Sequence, residues 1–430
     1  MMSKRETAWF EKPDRFDPGL IREMKRFRDI GGREDEDVIP VIVKLNREAD
    51  PSRHQDAIDL CKSSSCNRYG GELGLVGGIY GKISPKTIRD LMDHEGVYKI
   101  YHDREVRAFL DIATKSVGVT DVRVQEGLTG KGVTIAVVDT GIHPHDDLMK
   151  PDPRIVAFED LVHGRKEPYD DQGHGTHCAG DAAGNGYQSE GLYAGPAPEA
   201  ELVGVKVLDK DGSGQLSTVI KGVDWCVENK EKYGIRILSL SLGAPAFESY
   251  RDDPLAQAVE AAWHRGIVVL AAAGNEGPIP GTISTPGLDP LILTVGAADD
   301  RNTPDDSDDI KASYSSRGPT IDLLVKPDVY APGTNIISLS VPDSPLERQL
   351  PENRVGEHYI NLSGTSMATP FCAGVVALLL EANPQLSPND VKSILMSTAR
   401  KMAGDQAGYL RVGKAVDLAK EYLSIRKVSV

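Results

Sequence analysis

Apolar and polar positions divide this chain into a short first region of mixed pattern and a long second region where strands and helices alternate. After Gly130, a short apolar strand is predicted at 133–138, and further strands at 202–208, 235–242, 267–273 and 291–295. The first is as expected for a parallel strand covered on both faces. Helices are predicted between them at 217–233, with Val219, Ile220, Val223, Cys226 and Val227 inward, and at 254–265, with Leu255, Ala258, Val259 and Ala262 inward. The alternation predicts an α/β fold built on a doubly wound parallel sheet, in which chemistry belongs just past the strand ends. The most apolar stretch comes late, in NLSGTSMATPFCAGVVALLLEAN from Asn361 to Asn383. A helix with no polar face is buried, and its ten or so apolar residues are too few to span a bilayer.

Upstream, residues 1–37 are charged and weakly patterned, and read as a loosely ordered extension. Residues 38–110 carry their own alternation. Val41, Ile42, Val43 and Leu45 form a strand, and Ser52 caps a helix carrying Ala57, Ile58 and Cys61. A Gly-rich extended region covers 69–83, Ser84 and Pro85 open a second helix, and 97–101 is a last strand. Read with two strands in the Gly-rich region, the order is βαββαβ. The division is therefore 1–37, 38–110 and 111–430.

Charge sharpens that division. Residues 1–110 balance 20 Lys and Arg against 20 Asp and Glu, so the whole formal charge of -15 belongs to the remainder. An acidic surface repels phosphate backbones and argues against a nucleic-acid partner. No secretory signal follows Met1, and no apolar stretch reaches membrane-spanning length. Five scattered cysteines, an odd number, fit a reduced, cytoplasmic protein.

Three strand ends and one helix start hold residues that together suit acyl transfer. Asp139 follows the 133–138 strand, His174 lies in DDQGHGTHCAG, and Asn275 follows the 267–273 strand. Ser366 opens the apolar helix, where unpaired N–H groups carry partial positive charge. A serine needs a base to become a nucleophile, imidazole is such a base, and a carboxylate fixes its tautomer. An amide donor beside the serine N–H stabilises an oxyanion.

The motifs VVDTGI, GHGTHCAG, AAAGNEG and SGTSMATP, in this order, resemble the subtilase family of serine proteases across residues 111 to about 423, and within it the intracellular AprX-type group. The resemblance implies a serine endopeptidase with Asp139, His174 and Ser366 as triad and Asn275 as oxyanion donor. It implies that Ser241, Leu242 and Gly243 pair with the substrate backbone, with Ser213, Gly214 and Gln215 as the opposite wall. Ala272, Ala273, Gly274 and Ser284 match the primary pocket, whose small residues leave room for a large apolar side chain, and Leu216, Val219 and Leu242 match the pocket for the fourth substrate residue.

The resemblance further makes residues 38–110 an inhibitor-type propeptide, the chain's own intramolecular partner, removed by self-cleavage at Phe109–Leu110 or Leu110–Asp111. It implies calcium (Ca2+), with Asp147 matching a ligand of a strong site and Asp299, followed by an acidic insert, a weaker one. The loop 184–194 departs from the family pattern around the first of these. The rival reading is a zinc-dependent hydrolase using His143, His145, His174 and His177, but it lacks the H-E-x-x-H glutamate and leaves Ser366 and Asn275 without a role.

Overall fold

A computed structural model of the chain describes residues 15–29, 32–33, 37–103, 105–108, 117–301 and 309–428. The apolar strands of the second region form the middle of a ten-stranded sheet. Eight strands lie parallel in the order Gly408–Tyr409, Val329–Pro332, Leu293–Asp299, Val268–Ala272, Ile235–Leu240, Thr134–Asp139, Glu201–Lys206 and Ile155–Asp160. The five predicted strands are present with shifted bounds. Two of the others carry weaker signals, since Ile155–Asp160 is mostly half-buried and Val329–Pro332 has only four residues. Strand order reverses about Thr134–Asp139, and ligands collect at such a switch point. Asp139 ends that strand, and Ser241 follows its neighbour Ile235–Leu240.

The helix Thr365–Ala382 packs against His174–Ala183 and runs over the central strands. Its 18 residues have the length and hydropathy of a membrane span, longer than the sequence pattern indicates, but 83% of the helix is buried inside the protein. Its apolarity is that of a core helix. The predicted helix at 217–233 is two, Leu216–Glu228 and Lys230–Tyr233, because the chain leaves helical geometry at Asn229.

The first region forms a separate antiparallel sheet in the order Arg68–Leu73, Gly78–Ile83, Ile39–Leu45, Val97–His102, with helices Pro51–Lys62 and Pro85–Met92. Ser84 caps the second helix as expected, whereas Asp50, not Ser52, caps the first, its side chain accepting from the Ser52 N–H. Period two explains why Ile39–Leu45 is apolar on both faces. Val41 and Val43 join Ile58, Ile88 and Leu91 in the unit's own core, while Ile42 and Tyr101 join the large core of the second region. The extension is not wholly loose. Pro18–Asp29 is a helix whose Leu20 and Met24, with Phe16, are buried in that small core, and the Asp17 carboxylate accepts from the N–H groups of Gly19 and Leu20. Among its dense charges the three apolar anchors gave too weak a period to read.

Polar contacts join the two regions. The Asp103 carboxylate accepts from the Ser217 N–H at 2.7 Å and from its hydroxyl, in the first turn of Leu216–Glu228. Lys99 and Glu248 pair at 2.8 Å, and the Leu75 N–H donates to Asp224 at 3.1 Å.

Candidate active site

His174 begins a ten-residue helix whose first turn is bound by Asp170, which accepts from the Gln172, Gly173 and Thr176 N–H groups. The helix lies close against the end of the Asp139 strand, since a Cβ on Gly175 would fall 2.2 Å from the Gly141 carbonyl oxygen. Only glycine permits that approach. His174 Nδ1 donates to Asp139 Oδ1 at 2.7 Å, both side chains being fully buried. The bond fixes the tautomer and leaves Nε2 as the basic nitrogen. Burial lowers the pKa of His174, but the Asp139 carboxylate outweighs it and holds the imidazole well above its ordinary 6.5.

Ser366 is the second residue of its helix, and a proline sets its surroundings. Pro370, four residues on, has no N–H to give the Ser366 carbonyl. That oxygen instead accepts from the Ser241 hydroxyl at 2.8 Å and the Cys178 thiol at 3.5 Å. The Ser366 hydroxyl donates to the Ser241 carbonyl at 3.1 Å. Cys178 Sγ also lies 3.8 and 3.9 Å from the two ring nitrogens of His174, so one sulfur touches both residues. Burial pushes the Cys178 thiol up to about 12 and keeps it protonated.

Asn275 reaches the same helix mouth. Its side-chain carbonyl accepts from the Thr365 N–H and hydroxyl, each at 3.1 Å, which turns its NH₂ away from Thr365. The Gly274 N–H donates to the Thr365 hydroxyl at 3.2 Å, at a backbone φ of +109° that favours glycine. Thr365 is thus a positioning residue that sequence reasoning missed; its place between SG and S in SGTSMATP was the available signal.

Beside Ser366 a three-stranded antiparallel sheet forms, in which Glu105–Ala108 lies between Leu242–Gly243 and Ser213–Gln215. Ala108 pairs with Leu242, Arg107 with both Gly243 and Ser213, and Val106 with Gly214. Ser241, Leu242, Gly243, Ser213 and Gly214 are thereby brought together around one extended segment of the same chain. Next to it a cavity of about 330 Å³ is lined by Gly243–Ala246, Glu276, Gly281–Ser284, Thr320 and Ile321. Gly243 and Ser284 were read from sequence; Thr320 and Ile321 come from a loop no motif marks. Ala273 and Gly274 do not line it, though the Ala273 carbonyl accepts from the Ser284 N–H at 3.0 Å, and Leu216, Val219 and Leu242 are fully buried.

The metal expectations fare differently. Asp147 is fully buried, and both its oxygens accept hydrogen bonds, Oδ1 from the Gln188 N–H at 3.0 Å and Oδ2 from the Tyr359 hydroxyl at 2.8 Å. One donor on each oxygen leaves part of the carboxylate's capacity, but among the described residues no group of three or more metal-ligating side chains includes Asp147. Gln188 belongs to the loop 184–194 that departs from the family pattern. Asp299 accepts from the Arg301 N–H at 2.9 Å, and most of the acidic insert after it lies outside the described residues. The zinc set does not assemble either. His177 spends its ring nitrogens on Asp181 and the Ile360 carbonyl, and His145 lies by Asp147 and the His358 carbonyl. Among the described residues, the one group of metal-ligating types that converges is Asp139, His174 and Cys178.

Residues 130–414 match the model of the subtilase family, and the chain belongs to that family. Serine protease AprX of Bacillus subtilis is 46% identical over 368 residues, covering 84% of this chain and 83% of the relative. M-protease of Shouchella clausii is 39% identical over 324 residues, covering 74% and 73%. The crystal structure of fervidolysin from Fervidobacterium pennivorans, described as a keratinolytic enzyme related to subtilisin, superposes with a TM-score of 0.70 at 21% identity, over 90% of this chain and 62% of that one. The fold is thus subtilisin-like, and the protein is a serine endopeptidase with protein substrates.

Proposed function

We propose that Ser366 attacks the scissile carbonyl while His174 takes its proton, Asp139 stabilises the resulting imidazolium, and Asn275 with the Ser366 N–H receives the oxyanion. His174 then returns the proton to the leaving amine, and water repeats the cycle on the acyl-enzyme. The 2.7 Å bond from His174 to Asp139 supports the base, and the Asn275 carbonyl tied to Thr365 supports the oxyanion donor.

We infer that the first bond cut is in the chain itself, and the observation that carries this is the register of Glu105–Ala108. With Arg107 opposite Gly243 and Ala108 opposite Leu242, a substrate in this register presents its next residue to Ser241, whose carbonyl accepts from the Ser366 hydroxyl. In this sequence that residue is Phe109. Both bonds predicted from sequence lie outside the described residues, and the register favours Phe109–Leu110 over Leu110–Asp111. A large apolar side chain before the cut suits the cavity beside Gly243. After cleavage residues 38–109 act as a bound inhibitor. All five cysteines are unpaired, which supports a reducing, cytoplasmic setting.

A serine-directed fluorophosphonate tests the chemistry. It should label Ser366 of the processed protein and abolish peptide hydrolysis, with activity retained in excess chelator. Labelling elsewhere, or activity lost to chelator alone, would overturn the reading.

A further inference from the structure

The cavity wall at Thr320 and Ile321 belongs to a hairpin. The Gly318 N–H donates to the Lys326 carbonyl at 2.9 Å and the Thr320 N–H to the Leu324 carbonyl at 3.0 Å, while the Leu323 N–H closes the turn on the Thr320 carbonyl at 2.9 Å. Leu323 lies in the left-handed region, at a φ of +60°. Hairpins with three-residue loops place a left-handed residue after the turn, and glycine suits that place because it has no Cβ to meet the following carbonyl. A leucine there strains the backbone. It also stands in water, since Leu323 is 80% exposed.

The hairpin is held in place. Asp322 accepts from the Tyr250 N–H at 3.1 Å and lies 3.8 Å from the Arg251 guanidinium. Ile321 and Val325 on the same hairpin are half exposed, and Ile279 is 67% exposed on the adjoining loop. That loop is tied to the hairpin base, where the Gly281 and Thr282 N–H groups both donate to the Arg317 carbonyl, at 2.9 and 3.0 Å. Single exposed apolar residues are ordinary, but a group of them marks an interaction surface. A strained backbone that holds a leucine in solvent gains nothing within the fold, so its use is with a partner.

Continuity indicates the partner. Ile321 belongs both to this face and to the cavity lining, and Gly281–Ser284 lead from the cavity back to Ile279. The face stays exposed while Glu105–Ala108 fills the cleft between Leu242–Gly243 and Ser213–Gln215. It is therefore open to a part of the substrate that the chain's own N-terminal segment does not imitate. We propose that the hairpin 318–326, with Ile279, is an apolar docking surface for unfolded protein substrates. It takes aliphatic or aromatic side chains of the polypeptide outside the residues seated in the cleft. The proposal rests on the substrate register and cavity assigned above. Apolar side chains are mostly buried in folded proteins and displayed by unfolded ones, so the surface favours unfolded chains.

The test compares the processed enzyme with its Leu323→Gly and Val325→Thr variants on two substrates. One is a tetrapeptide p-nitroanilide ending in Phe, which occupies the cleft and cavity alone; the other is reduced, carboxymethylated α-lactalbumin. On the tetrapeptide, kcat/KM should stay within about twofold of the parent. On the unfolded protein it should fall roughly 3–10-fold for each variant, through KM, as expected when part of one apolar side chain is no longer buried. In a Ser366→Ala background, Leu323→Gly should melt no lower than its parent because glycine relieves the left-handed strain, which separates lost docking from lost stability. Equal kcat/KM for the parent and both variants on the unfolded protein would overturn the proposal. So would an equal loss on both substrates, which would make the hairpin only a support of the cavity. A parent dimer that Leu323→Gly dissolves, with hydrolysis of the unfolded protein unchanged, would give the face to a second copy instead. A parent inert on the tetrapeptide would count against the cavity assignment itself, whereas a change confined to the unfolded protein concerns this surface alone.

Discussion

The helices carrying His174 and Ser366 approach so closely that a Cβ on Gly374 would fall 2.5 Å from the Ala182 carbonyl, among buried Ala, Val and Leu side chains. The seam between the N-terminal unit and the same core mixes apolar contact, where Ile42 and Tyr101 join the large cluster, with polar contact. There Asp103 meets Ser217, Lys99 meets Glu248, Asp224 meets the Leu75 N–H, and the Lys221 amine donates to the Tyr80 hydroxyl at 2.7 Å. Close apolar packing cannot open without leaving a cavity, whereas polar and charged groups regain water when they part. The first contact holds the proposed catalytic groups His174 and Ser366 at fixed distances. The polar share of the second suits the N-terminal unit to the inhibitor role proposed above.

Changes inside the core should cost the most. Asn275→Leu should lower turnover by about 10²–10³ with little change in KM, the size found for an oxyanion donor in subtilisin itself. Unchanged turnover would reduce Asn275 to a turn residue. Across the seam, Lys99→Met removes the ammonium that donates to buried Glu248, a hydrogen bond from a charged group worth about 1.5–3 kcal/mol. The cut N-terminal segment should then dissociate at least about tenfold more readily on size exclusion; equal retention would show that the pair contributes nothing to holding it.

Acidity separates the two regions further. Burial pushes Glu248 up to about 8, aided by Asp17 and against the pull of Lys99, and burial pushes Asp224 up to about 6. Carboxyls raised in the bound state take up protons on binding, so association is strongest at low pH and weakens as pH rises toward 8. Co-elution of the cut segment should therefore decline from about pH 5 to 8; retention that increases over this range would refute the assignment. His174 acts in the same direction. It must be neutral to accept the serine proton, and its raised pKa places the acid limb of activity above 6.5. A profile flat down to pH 5 would count against His174 as the base. The smallest expected effect is that of chelator on the buried Asp147 region. With Gln188 and Tyr359 each bonded to one oxygen and no group of three or more metal-ligating side chains including Asp147 among the described residues, the thermal midpoint should not move, and a fall of several degrees that calcium restores would contradict this.

How far the sequence could be read follows the same division. The parallel strands and buried helix were legible because residues such as Ile135–Val138 and Val375–Leu380 have only one environment that suits them, the interior. Asp139, His174, Asn275 and Ser366 could be singled out as candidates because a place at a strand end or helix start coincides with suitable side-chain chemistry. Contacts between distant segments were not. That the Gln188 N–H and the Tyr359 hydroxyl meet Asp147 depends on a loop and a strand far apart in the chain, and Asp147 alone resembles a metal ligand. Thr320 and Ile321 join the cavity wall only through tertiary placement. Three apolar anchors in an otherwise charged stretch left the Pro18–Asp29 helix unread.

The central claim is that Ser366 cuts its own chain in the register set by Arg107 and Gly243. Intact mass and N-terminal sequence of the purified parent, measured beside Ser366→Ala over a range of concentrations, test it most directly. The account predicts a new chain beginning at Leu110 in the parent, appearing at a rate independent of concentration, and a single full-length Ser366→Ala chain. A new terminus at Asp111 would contradict the register, and Ser366→Ala cut equally well by itself would contradict self-processing.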